Sequence, residues 1–105
     1  MSFNLLVWKW SEDLDTPSKR RKNKMSDVAS SFAESGEHPA IGEADFSVYL
    51  EKVTEQFGSE ELHRPFVIEN YNKAVVFNYG SESHFEIVPI LGQLASNCGF
   101  NATEF

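Results

Sequence analysis

A single cysteine, Cys98, in 105 residues excludes an internal disulfide and every multi-cysteine metal site. It falls on the apolar side of a predicted helix and reads as a buried, inert thiol. No apolar stretch approaches the roughly 20 residues that a membrane helix requires. The opening Met-Ser-Phe-Asn-Leu-Leu-Val has no basic start, long apolar core or cleavage site. The expectation is a soluble, cytoplasmic protein without a membrane partner. Equipment for catalysis is also missing. There is no glycine loop to cradle phosphate, no nucleophile elbow and no His-x3-His spacing. His38, His63 and His84 stand far apart, and the adjacent Glu60 and Glu61 point different ways, so neither group defines a reaction centre. The sequence therefore predicts no enzyme, no cofactor and no metal.

Positive charge is scarce except at one place. Residues 1 to 24 hold six Lys and Arg against three Asp and Glu, a net of +3; residues 25 to 105 hold three against thirteen, a net of −10. Lys19, Arg20, Arg21, Lys22 and Lys24 form the one basic cluster, inside a segment from Ser11 to Lys24 that reads as a mobile loop. No aromatic residue is interleaved among these five, and the acidic body repels phosphate, so a nucleic-acid partner is not expected. Such a body attracts basic proteins and raises encounter rates with them.

What the chain has in abundance is apolar and aromatic material. The 41% hydrophobic content includes nine Phe, three Tyr and two Trp, enough for the core of a single domain spanning residues 1 to 105. Its centre is a predicted hairpin from Pro65 to Gly80. Phe66-Val-Ile and Ala74-Val-Val-Phe flank a polar connection in which Asn70 and Asn72 tolerate positive φ. Four consecutive apolar residues, Ala74 to Phe77, predict an inner strand covered on both faces. Phe3 to Trp10 is a second inner strand, with Phe3, Leu5 and Val7 on one face and Leu6, Trp8 and Trp10 on the other. The two tryptophans read as packing residues in preference to a base-stacking platform.

Three segments have helical periodicity. Met25 to Gly36 places Val28, Ala29, Phe32 and Ala33 on one side, with Gly36 as a stop. The segment after Asp45 does the same with Phe46, Tyr49, Leu50, Val53 and Phe57, and Gly58 ends it. Beyond Gly80, Ser83 and Glu86 have capping-box spacing, and Phe85, Val88, Leu91, Leu94, Ala95 and Cys98 form a predicted buried stripe. Pro89 should kink this last helix or confine its regular part to the residues after it. Phe100 to Phe105 closes the chain as a short strand. The predicted fold is α+β: a ferredoxin-like four-stranded antiparallel sheet, βαββαβ with one extra short helix after the first strand and the helices packed on one face.

Four stretches carry a resemblance over nearly the whole chain: Ser-Phe-Asn-Leu-Leu-Val-Trp-Lys, the Phe-x3-Leu-x2-Val-x3-Phe helix, the hairpin, and Ile-Val-Pro-Ile-Leu-Gly-Gln-Leu-Ala-Ser-Asn-Cys-Gly-Phe. The chain resembles small bacterial immunity proteins of contact-dependent growth inhibition and related polymorphic toxin systems. The resemblance implies a cytoplasmic protein that binds and blocks a cognate toxin domain, commonly a nuclease, as a stoichiometric inhibitor. For a basic partner of that kind, the expected toxin-binding surface is the acidic stretch Glu51, Glu55, Glu60 and Glu61, extended by Glu82 and Glu86. The alternative is a small regulatory or ligand-binding module of ferredoxin-like fold that dimerises through its sheet. Such a module would bind a metabolite or nucleic acid through the basic loop.

Overall fold

The strand β1, Ser2–Trp10, runs through the middle of the molecule in the computed structural model, which describes residues 2–14, 16–21, 23–60 and 64–105. It pairs antiparallel with β4 (Ala74–Gly80) along one edge, and with β5 (Asn101–Glu104) and the two-residue β2 (Ile41–Gly42) along the other. The strand β3 (Phe66–Asn70) lies outside β4. The fold is α+β, and the described residues form an open antiparallel sheet of five strands with four helices. Registers Phe3↔Tyr79 and Phe66↔Tyr79 define one end of the sheet, and Trp8↔Ala74 and Trp8↔Asn101 the other.

The two-sided apolar character of β1 and β4 has the predicted consequence, because each face of the sheet has its own core. Leu5, Val7, Val75, Phe77 and Tyr79 meet α3 (Ser47–Phe57) and α4 (His84–Asn97) through Tyr49, Val53, Ile87 and Leu91. Leu6, Trp8, Ala74 and Val76 meet Val28, Ala29 and Phe32 of α2 (Met25–Ser35) together with Ile41. The expectation that the helices share one face is thus corrected. Residues alternate across a strand, so an inner strand that is apolar on both sides requires a cover on both, and α2 provides the second. Trp8 is fully buried in this second core, and its indole N–H donates to Thr103 Oγ1 at 3.2 Å.

The fifth strand also departs from the expectation of four. Ile41 and Gly42 sit in what reads as linker, but they lie beside Trp10 and Lys9, and Ser11 donates its backbone N–H to Ala40. The segment Ser11 to Lys24 contains a 3-10 turn at Glu12–Leu14 and a one-turn helix, α1 (Pro17–Arg20), capped by Thr16. Arg20 is not a plain solvated charge. Its guanidinium lies 5.6 Å from the Trp10 ring centre, and its Nε donates to the carbonyl of Leu14 at 2.7 Å. Lys22 lies outside the described residues.

The hairpin is tighter than the sequence suggests. Its turn is closed by the Tyr71 N–H donating to Ala74, and no non-glycine residue among those described has a positive φ. Neither Asn70 nor Asn72 uses the left-handed region. Gly36, in contrast, has φ of 80° and ends α2 as predicted. Asp45 accepts from the backbone N–H and hydroxyl of Ser47 ahead of α3, and the hydroxyl bond is the larger cause of its lowered carboxyl pKa. Ser83 makes no such side-chain cap for α4.

Candidate functional site

Chain direction decides which acidic residues come together. Before α3, Phe46 touches Phe100 at 4.7 Å, beside the start of β5; at its end, Phe57 touches Phe66 at 5.0 Å, beside Tyr79. The helix α4 runs the opposite way, since His84 starts it against Phe3 and Tyr79 and Phe100 follows its last turn. The last turn of α3 and the first turn of α4 therefore lie at the same end of the sheet.

That end holds most of the acidic residues singled out from the sequence. Glu55 is in the last turn of α3, Glu60 just beyond it, Glu82 in the 3-10 turn Ser81–Ser83, and Glu86 in the first turn of α4; all are exposed. Glu51 is one turn further back on the same outer face of α3 as Glu55 and is also exposed. Glu61 lies outside the described residues. Glu82 folds back over Gly80, so closely that a Cβ there would stand 2.7 Å from its Oε1.

Helix electrostatics separate these carboxylates into two groups. Glu82 and Glu86 suit the positive N-terminal end of α4, so they favour its folding. Glu55 sits in the last turn of α3, where the dipole is negative and no basic residue shares the turn. Its charge opposes the dipole, with Lys52, three residues earlier, as its helical neighbour of opposite sign.

Two residues at this end were missed from sequence. Glu104, at the end of β5, places Oε1 3.6 Å from His84 Nε2 and joins strand to helix. Phe85 is 87% exposed, although the stripe drawn through Val88 and Leu91 had it buried. The inward positions are taken by His84, against Phe3, and by Ile87. These contacts hold the phase of α4 and leave Phe85 outside. The helix continues through Pro89 from His84 to Asn97, so the expected confinement to the residues after the proline does not occur.

Buried polar groups add to the character of this end. Tyr79 is 4% exposed, yet its hydroxyl has no hydrogen-bond partner among the described residues. Burial, and after it the charge of Glu104, pushes its pKa up to about 12.

The opposite end of the sheet has an open cleft of about 830 Å³, with Trp10, Glu12, Asp13, His38, Glu43 and Lys73 in its walls. His38 Nδ1 is occupied in accepting from the Ala40 N–H at 2.9 Å. His38 and His84 thus belong to opposite ends, and His63 lies outside the described residues. Among the described residues no three His, Cys, Asp or Glu side chains are placed to hold a metal ion. Nor is any described helix long and apolar enough to cross a membrane. Cys98 follows α4, half-buried against the core.

No protein-family model matches the chain, and neither a curated protein nor a solved structure matches it.

Proposed function

We propose that this chain is an immunity protein, which binds a cognate bacterial toxin domain in the cytoplasm and neutralises it without chemistry of its own. The partner is a basic nuclease. Carboxylates on the chain occupy its phosphate subsites or clamp its Lys and Arg side chains by charge-assisted hydrogen bonds. The observation that carries this reading is the gathering of exposed carboxylates at one end of the sheet, including Glu55 where it opposes the dipole of α3. An acid set against the dipole of its own helix supports an external partner for it. We also read the sheet as ferredoxin-like with β2 as an addition, which is supported by the neighbours β3, β4, β1 and β5 in that sequence across it.

A second reading, dimerisation through the sheet, has the outer position of β3 in its favour, with Val67 65% exposed on it. Sedimentation would separate the two, because the immunity reading needs no second copy.

The reading requires a toxin gene beside this chain's own, and the test is co-expression with that toxin domain. The wild-type chain restores growth, and the reversal of Glu51, Glu55, Glu60 and Glu61 to Lys abolishes protection while the melting transition stays close to wild type. Association slows several fold as salt rises from about 50 to 500 mM, since the screening length falls from roughly 14 to 4 Å. Full protection by the reversed variant would remove the acidic face from the interface.

A further inference from the structure

Phe85 is the most exposed of the large hydrophobic side chains in the described structure. Its position is enforced. His84, one residue earlier, is held by the Phe3 ring at 5.3 Å and by Glu104 at 3.6 Å, and Ile87, two residues later, is fully buried. With both neighbours anchored inward, α4 cannot rotate to bury Phe85 without losing these contacts. The ring is presented to solvent on a fixed helical turn, which is what a preorganised contact residue requires.

Its surroundings specify what it fits. Glu86 is adjacent and Glu82 precedes it by three residues, both exposed. An apolar ring flanked by two carboxylates matches a guanidinium, which can stack on the ring while its N–H groups meet the carboxylate oxygens.

We infer that Phe85 is the apolar anchor of an interaction surface on the outer side of α4, docking into a socket rimmed by Arg or Lys on a basic protein. The inference rests on the reading above that the partner is a basic toxin domain, and it moves the energetic centre of the contact from α3 to the start of α4. Glu82 and Glu86 form the charged rim, and Phe85 supplies the dry centre.

Calorimetric titration with a catalytically inactive form of the toxin domain encoded beside this chain tests the inference. Phe85→Ala is expected to raise Kd about 30-fold or more at both about 50 and about 500 mM salt, as for a central anchor. Phe85→Trp should remain within a few fold of wild type, since an aromatic face is retained. Glu82→Gln with Glu86→Gln should weaken binding several fold at low salt and much less at high salt. Because Phe85 is exposed, both Phe85 variants should melt close to wild type, which separates lost contact from lost folding; the Gln pair, which removes two charges favourable to the start of α4, should melt slightly lower. Wild-type affinity in Phe85→Ala, with binding weakened by Glu51→Gln and Glu55→Gln, would overturn the anchor and leave the immunity reading standing. No binding by the wild-type chain would overturn both.

Discussion

The Tyr49 hydroxyl donates to the carbonyl of Leu91 at 3.2 Å inside the core, joining α3 to α4 where neither residue reaches solvent. Burial, and after it Cys98, raises the pKa of this phenol well above that of a free tyrosine. Tyr49→Phe keeps the ring and removes the bond. Stability should fall by about 1 kcal/mol, read as a lower urea midpoint at unchanged slope. The corresponding fall in Tm is about 4–8 °C for a domain near this size. An unchanged midpoint would mean that the bond contributes nothing net.

Tyr79 provides the contrast. Its hydroxyl is buried without a partner, so Tyr79→Phe should leave stability at pH 7 unchanged or raised. Its folded pKa is about 12 against an ordinary value of 10.0. The folded state thus favours the neutral phenol, and this contribution is complete below pH 10 and lost as pH rises toward 12. Denaturant midpoints should decline less steeply between pH 10 and pH 12 in Tyr79→Phe than in wild type. Tyr49 keeps some decline in the variant. Identical slopes in the two proteins would rule out Tyr79 as a source of the alkaline loss.

The basic segment divides into a structural and a solvated part. Arg20→Ser removes the stack on Trp10 and the bond to Leu14, and should cost about 1 kcal/mol. Arg21→Ser and Lys24→Ser change exposed residues and should stay within about 0.5 kcal/mol of wild type. Thermal melts of the three single variants decide it. Equal losses at all three positions would remove the distinction.

Amide hydrogen exchange should rank the strands. Amides of β1 and β4, paired on both edges and covered on both faces, should exchange slowest, and those of the outer β3 faster. Labelling of β1 as fast as residues 11–14 would contradict its place at the centre of the sheet.

Local pattern was enough for much of this architecture. The alternation in Phe3 to Trp10 and the unbroken run Ala74 to Phe77 identify two inner strands, because a pleated strand reports the polarity of each face directly. The spacing of Tyr49 and Val53, and the stop at Gly36, likewise mark helices through geometry confined to a few residues. The outward character of Glu51, Glu55 and Glu86 was also readable from helical phase. The sequence does not state which face of the sheet a helix takes, and α2 went to the side that Leu6, Trp8 and Val76 left open. Nor could Ile41 and Gly42 reveal themselves as a strand, since two residues have no period and pair with β1 only once the chain returns beside Trp10. Phe85 shows the same limit at the candidate site. Both a stripe through Phe85 and one through His84 and Ile87 fit the helical repeat, and contacts with Phe3 and Glu104, distant in sequence, chose between them. Periodicity defines the spacing of a buried stripe, while its phase is set by what lies across the interface.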